Sequence, residues 1–112
     1  MTLNNVSSDL IRGNIDTIIL CVLWQKDNYG YEIIKAIKEN SNDEYELKEP
    51  TLYSSLKRLE GQKMVESYWG NESQGGRRKY YRITDEGLQM YKRNYEAWKV
   101  ARQVIDKLIE IG

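Results

Sequence analysis

The sequence predicts a mainly α-helical fold of the α+β class, with three short helices, a β-hairpin and a long last helix. Apolar residues recur three and four positions apart in the first half of the chain, as in amphipathic helices. They alternate with polar residues over 65–69 and 77–84, as in strands, and then return to helical spacing. This order is typical of a winged helix-turn-helix domain, which we place at 1–84, with a dimerisation helix at 85–112.

The first two helices are predicted from isoleucine-rich stripes. The apolar residues from Leu10 to Trp24 predict one amphipathic helix. Gly30 opens the second helix, which carries three isoleucines on one face and ends near Asn40. We then expect a short strand over 45–47, where Tyr-Glu-Leu alternates in polarity.

The third helix is predicted from a leucine stripe, and it carries the first candidate site. It begins at Pro50, because a proline at the first helical position loses no hydrogen bond, and its Leu52, Leu56 and Leu59 face the core. The opposite face, here called the reading face, is small and basic, which suits entry into the major groove of double-stranded DNA. Its residues are Thr51, Ser54, Lys57 and Arg58, flanked by Tyr53 and Ser55, with Lys48 just before the helix.

The hairpin carries the second candidate site at its tip. Turn-forming residues fill 70–76 between the two strands, and Tyr81 and Ile83 share the core face of the return strand. Two glycines at the tip are followed by three cations, Arg77, Arg78 and Lys79. We expect these cations to contact the DNA phosphates beside the reading helix.

The charges are unevenly distributed, although the formal net charge is zero from 17 basic and 17 acidic residues. Between residues 48 and 82 there are eight Lys or Arg and only four Glu. Acidic residues collect in the segment 39–46 instead. The basic segment therefore coincides with the two candidate sites, as expected for a nucleic-acid interface.

The last helix is predicted to begin after Thr84, which can cap it, with Asp85 and Glu86 in the first turn where the helix dipole favours acid. A helix of roughly 25 residues spans about 38 Å, longer than a core of this size can cover. We therefore expect a homodimer, which would also space two reading helices for successive major grooves. The predicted interface residues are Leu88, Tyr91, Tyr95, Trp98, Ala101, Ile105, Leu108 and Ile109.

Other kinds of site are not expected. The chain has one cysteine and no histidine, so we predict no disulfide, metal or cofactor. It shows no signal sequence, no apolar run long enough for a membrane span, and no catalytic constellation. We therefore expect a cytoplasmic protein that is not an enzyme, and a buried Cys21 that is inert rather than a redox sensor.

The sequence resembles the PadR family of transcriptional regulators, in particular its small, multidrug-responsive winged-helix members. The resemblance covers the chain from Arg12 onward and is most specific in the hairpin. It is carried by Asn28-Tyr29-Gly30-Tyr31, Thr51-Leu52-Tyr53, Lys57-Arg58-Leu59-Glu60, Ser67-Tyr68-Trp69-Gly70, Glu72 to Tyr81, and Thr84 with Gly87.

The resemblance implies a homodimeric repressor that binds operator DNA and releases it when a planar aromatic compound binds. In the multidrug-responsive members such compounds stack between two tryptophans at the dimer interface, and Trp98 occupies the matching position. The other matching residues are Leu10, Asn14, Thr17, Cys21 and Tyr95. Those members have an acidic residue in place of Arg102 and valine in place of Thr17, so a preference for cationic drugs is not carried over.

Three alternatives remain open at this stage. Trp98 could be a dimer anchor rather than a ligand-stacking residue. The family commonly has glycine at the position of Lys63, so either Lys63 is left-handed or the third helix stops at Gly61. The chain could also be a protein-interaction adaptor without a small-molecule effector, because a fold alone does not fix a function.

Overall fold

The computed structural model describes residues 6–70 and 76–111 of the chain. It confirms the predicted fold class, a mainly helical domain with a small antiparallel sheet and a long last helix. The elements are α1 (Ser8–Ile11), a 3₁₀ turn (Arg12–Asn14), α2 (Ile15–Gln25), β1 (Asn28–Tyr29), α3 (Gly30–Asn40), α4 (Glu49–Gly61), β2 (Val65–Trp69), β3 (Lys79–Ile83) and α5 (Asp85–Ile109). We call the β2–β3 hairpin the wing; its tip residues 71–75 lie outside the described ranges.

The core is formed where α2, α3, α4 and the sheet meet. The predicted leucine stripe of α4 is confirmed, with Leu52, Leu56 and Leu59 at most 1% exposed. Tyr81 of β3 is also buried, and it faces the core as predicted. These buried side chains fix which face of α4 remains available to a partner.

The sheet has the strand order β1-β3-β2. Strand β1 was not predicted, because two residues are too few to show an alternating pattern. The strand predicted at 45–47 is wrong, since this segment is an irregular connection between α3 and α4. Its residues alternate because Leu47 is inserted into the core and Tyr45 packs against it, while Glu46 between them is exposed.

The prediction of one continuous helix from Leu10 is also wrong. A 3₁₀ turn over Arg12–Asn14 separates α1 from α2. Gly13 lies in this turn, and glycine weakens a helix because it loses more conformational freedom on folding than other residues. The helix that enters the core therefore begins only at Ile15.

The junction between α4, the wing and α5 is closed by side-chain and backbone hydrogen bonds. Helix α4 ends at Gly61, and Lys63 is left-handed with φ of 64°, so both of the open alternatives are realised. Thr84 caps α5 as predicted, because its Oγ1 accepts a hydrogen bond of 3.0 Å from the Gly87 amide. The same hydroxyl donates to the Lys63 carbonyl at 2.7 Å.

Helix α5 has the predicted length, and its first half packs on α2. Its second half is exposed, including Ile105 at 52%, Leu108 at 76% and Ile109 at 71%. Among the described residues, no helix combines the length and apolar character that crossing a membrane requires.

Candidate nucleic-acid interface

The reading face of α4 is exposed, as the leucine stripe requires. Thr51, Ser54 and Lys57 lie on the outer side of the helix. Ser55 is only 4% exposed, so it lies on the inner side of α4 rather than at the edge of the reading face. The reason is its position three residues after Leu52 and four before Leu59, within the buried stripe.

Arg58 is exposed but held by a carboxylate of another helix. Its Nη2 lies 2.6 Å from Oδ1 of Asp16, near the start of α2. The same nitrogen lies 3.4 Å from the Ser55 hydroxyl oxygen. The hydrogen bond with Asp16 and the charge of that carboxylate raise the pKa of Arg58. Arg58 thus differs from the other reading-face residues, because it has a partner inside the protein.

Three tyrosines form one cross-strand row on the outer face of the sheet. Tyr80 is in register with Tyr29 of β1 and with Tyr68 of β2. Its ring centroid lies 5.4 Å from that of Tyr29 and 5.7 Å from that of Tyr68. Aromatic cross-strand pairs of this kind stabilise a small sheet.

Cations of the wing lie over the aromatic rings of the sheet. The guanidinium carbon of Arg78 lies 4.8 Å from the Tyr29 ring centroid, and that of Arg77 lies 5.5 Å from the Trp69 ring centroid. Lys79 lies over Tyr81, with its Nζ 5.7 Å from the ring centroid. These contacts restrict the long side chains while leaving their charges at the surface.

The structure brings Tyr53, which flanks the reading face, next to two cations of the wing. A groove of about 270 Å³ is lined by Tyr53 of the reading helix and by Arg78 and Lys79 of the wing. Its other walls are Tyr29, Gly30, Tyr31 and Tyr81. The flanking residue Tyr53 and the wing cations therefore belong to one continuous surface, whereas Lys48 is exposed at the N-terminal end of α4.

Sequence reasoning missed the start of α3 as part of this surface. Tyr31 is 68% exposed, and Gly30 is buried beneath Tyr53. A Cβ atom at Gly30 would lie 2.0 Å from the Tyr53 hydroxyl oxygen, so only glycine permits this approach. The glycine between two tyrosines at a helix start was the signal that could have indicated the contact.

The predicted effector residues lie mostly around a second, apolar groove. This effector groove has a volume of about 270 Å³ and is lined by Leu10, Ile11, Asn14, Thr17, Ile18, Tyr95 and Trp98. Cys21 is not among its walls; it lines a neighbouring groove of about 240 Å³, one turn farther along α2. The Cys21 thiol accepts a hydrogen bond from Gln25 Nε2 at 3.8 Å.

A series of four aromatic rings runs from Trp24 of α2 along three residues of α5. The centroid distances are 5.3 Å from Trp24 to Tyr91, 6.1 Å from Tyr91 to Tyr95 and 6.5 Å from Tyr95 to Trp98. Burial raises the pKa of Tyr91, and a hydrogen bond with Cys21 raises it further. The guanidinium carbon of Arg102 lies 5.7 Å from the Trp98 ring centroid, so a positive charge stands at the outer end of the series.

The predicted dimer-interface residues divide into two groups. Leu88 and Tyr91 are partly buried within the protomer, where Tyr91 packs against the core. The remaining residues, Tyr95, Trp98, Ala101, Ile105, Leu108 and Ile109, are exposed. In the described parts of the chain, no group of His, Cys, Asp and Glu side chains could hold a metal ion.

Comparisons with known sequences indicate the family of this chain. The model of the transcriptional regulator PadR-like family matches residues 19–93, from α2 into α5. Uncharacterized protein X of Lysinibacillus sphaericus is 43% identical over 105 residues, 94% of this chain and 96% of that protein. The transcriptional regulator YqjI of Escherichia coli K12 is 31% identical over 84 residues, which is 75% of this chain and 39% of YqjI.

Solved structures agree with these matches. A transcriptional regulator from Clostridium thermocellum has a TM-score of 0.86 and 48% identity, covering 94% of this chain and 99% of that one. A PadR family transcription regulator from Clostridium difficile has a TM-score of 0.76 and 39% identity, covering 88% of this chain and 100% of that one. These matches identify the protein as a DNA-binding transcriptional regulator and not an enzyme. The chain belongs to the PadR-like family of transcriptional regulators.

Proposed function

We propose that the protein is a homodimeric repressor that binds operator DNA through α4 and the wing and releases it when a planar aromatic compound binds. The observation that carries this proposal is the continuous surface joining the two candidate sites. Thr51, Ser54 and Lys57 are exposed on α4, and Arg78 and Lys79 of the wing lie across a groove from Tyr53 of the same helix. This arrangement supports the proposal, because recognition of a duplex needs groups that read bases beside groups that bind phosphates.

The DNA-binding part is tested by fluorescence anisotropy with the promoter of the protein's own gene. If a dimer neutralises about eight phosphates, the logarithm of affinity falls against the logarithm of salt with a slope near −7. An affinity that depends neither on the salt concentration nor on the DNA sequence would contradict the proposal. The same titration is repeated with substitutions in the two candidate sites.

The two sites should respond differently to substitution. Arg78→Ala removes a cation expected at a phosphate and should weaken binding to all duplexes by a similar factor. Lys57→Ala and Ser54→Ala should also alter the sequence preference, because they remove expected base contacts. Lys38→Ala removes an equivalent exposed cation from the last turn of α3 and serves as the matched control.

The proposed dimer is supported by the exposed half of α5. Its apolar side chains cover about the last three turns, and apolar surface of this extent on a helix is commonly covered by another chain. A two-fold pair would place two copies of α4 on the same side of a duplex, at a spacing of roughly 34–36 Å.

The proposed effector site is the effector groove beside Trp98. Its walls are largely apolar, and the nearly parallel rings of Tyr95 and Trp98, with an interplanar angle of 15°, offer a flat surface to an aromatic compound. We expect a planar acridine dye to quench the tryptophan fluorescence and to lower DNA affinity. Trp98→Ala should abolish both responses, whereas Trp69→Phe in the wing should keep both. An unchanged titration in Trp98→Ala would remove this groove from the proposal.

A further inference from the structure

The ion pair between Asp16 and Arg58 joins the reading helix to the start of α2. The Nη2–Oδ1 distance is 2.6 Å, and the side chains are 50% exposed for Arg58 and 28% for Asp16. In the described parts of the chain, both hydrogen bonds of Arg58 fall on this one nitrogen. The Nε and Nη1 donors therefore remain for an outside acceptor, and solvent or DNA can reach the pair.

The pair lies on the side of the protein that the proposed function turns to DNA. It lines a groove of about 440 Å³ whose walls include Thr51 and Ser54 of the reading face. Arg12 lines the same groove, and it is paired with Asp9 at 2.7 Å. Both arginines of this groove are thus held by carboxylates.

An arginine that is paired with a carboxylate interacts with DNA differently from an unpaired arginine. Non-specific binding arises almost entirely from cations that neutralise phosphates wherever these lie. On the proposed DNA-binding surface, Asp16 would lower this contribution, because it neutralises Arg58 and would bring a negative charge near the phosphates. A guanidinium fixed at Nη2 presents its remaining donors in one orientation, which favours an acceptor at one position, such as a guanine edge.

We propose that Asp16 is a specificity-determining residue that restrains Arg58 and so suppresses binding to duplexes that lack the operator sequence. The inference rests on the proposed function, because it takes the reading face of α4 as the DNA-binding surface. Asp16 acts as a positioning residue through Arg58.

The test compares two duplexes of equal length and composition, a site recovered by genome-wide footprinting and its shuffled version. Asp16→Asn should bind the shuffled duplex roughly fivefold more tightly, since one unfavourable charge near a phosphate is removed and one cation is released. The salt slope should steepen by about 1 per protomer. The ratio of the affinities for the two duplexes should fall.

Two further variants separate this effect from a change in net charge. Glu96→Gln removes the same charge from the exposed ion pair with Lys99 on α5 and should leave the affinity ratio unchanged, because neither residue lines this groove. In an Arg58→Gln background, Asp16→Asn should have a smaller effect, because removing its charge still favours binding but no cation is released. Thermal unfolding checks that each variant is folded, which is expected because exposed pairs contribute little to stability.

The outcomes distinguish this inference from the proposed function. An unchanged or higher affinity ratio in Asp16→Asn, or an equal effect of Glu96→Gln, would overturn the role of Asp16 while sequence-specific binding by the wild type stands. Binding of the wild type that shows no preference between the two duplexes would overturn the proposed function itself.

Discussion

Lys63 adopts a backbone conformation that glycine reaches at lower energy. Its φ of 64° lies in the left-handed region, where the Cβ atom of other residues approaches the following carbonyl oxygen. The conformation is imposed by the end of α4, because the Lys63 amide donates to the Glu60 carbonyl at 3.0 Å and the Met64 amide donates to the Leu59 carbonyl at 2.9 Å. This pair of bonds is the Schellman arrangement.

We predict that Lys63→Gly stabilises the protein by about 1 kcal/mol, because it relieves this strain without removing a backbone hydrogen bond. Urea unfolding measures the change. Asn42 is the matched control, because it ends α3 in the same way with φ of 55°. Asparagine tolerates the left-handed region, so Asn42→Gly should gain less. Equal gains at the two positions would contradict the explanation.

For single residues, the spacing of apolar side chains predicts burial only in part. The leucine spacing predicted which side of α4 is buried, but it left Ser55 at the edge of the exposed face. A serine inside the buried stripe carries no apolar signal, so only the packing revealed that it is buried. The partner of Arg58 could not be predicted from the sequence either, because Asp16 is 42 residues away.

At the scale of elements, long periodic segments were predicted well and short ones were not. Helices α3, α4 and α5 follow the sequence pattern closely, since each repeats its period several times. Strand β1 depends on pairing with β3, as in the contact between Tyr29 and Tyr80, and this non-local pairing leaves no local pattern. The groove between Tyr53 and the wing was missed for the same reason.

Tyr68 joins the sheet to the loop before β1. Its hydroxyl donates to Oδ2 of Asp27 at 2.6 Å, and this hydrogen bond is the largest cause of the raised pKa of Tyr68. A tyrosine with a raised pKa keeps its proton more firmly in the folded chain than in the unfolded one. The resulting stabilisation is complete below the unfolded pKa of about 10 and is lost as pH rises through the folded pKa.

We predict that Tyr68→Phe lowers the free energy of unfolding by at most about 1 kcal/mol at pH 7, because the hydrogen bond is partly exposed to solvent. The difference from the wild type should narrow as the pH rises above about 10. Urea unfolding at several pH values measures both effects. Tyr31→Phe, at a side chain that is 68% exposed, is the control and should change little. A difference that widens with pH would contradict the role of Asp27.

At the scale of the whole molecule, the described chain is elongated, with principal extents of 60 × 38 × 21 Å. The core lies at one end of α5, and the far part of that helix carries Ile105, Leu108 and Ile109, each more than half exposed. The length of α5 alone predicted that part of this helix extends beyond the core. The apolar pattern does not identify the chain that covers this surface, since an adaptor that binds a different protein would show the same pattern.

We predict that Ile105→Glu converts a dimer into a monomer, because it places a charge in the middle of the exposed apolar stripe, where Ile105 is 52% exposed. Sedimentation velocity measures the change in mass. Operator affinity should fall by at least about a hundredfold, because two linked reading helices bind far more tightly than one.

Gln103→Glu is the control for this prediction, because it adds the same charge at an exposed position of α5 outside the stripe. It should leave both the mass and the operator affinity close to those of the wild type. If Ile105→Glu remained dimeric, the two-fold contact would have to lie elsewhere on the molecule. If the wild type were itself a monomer, the exposed stripe would instead favour a different protein as its partner, and the spacing argument for two copies of α4 would no longer apply.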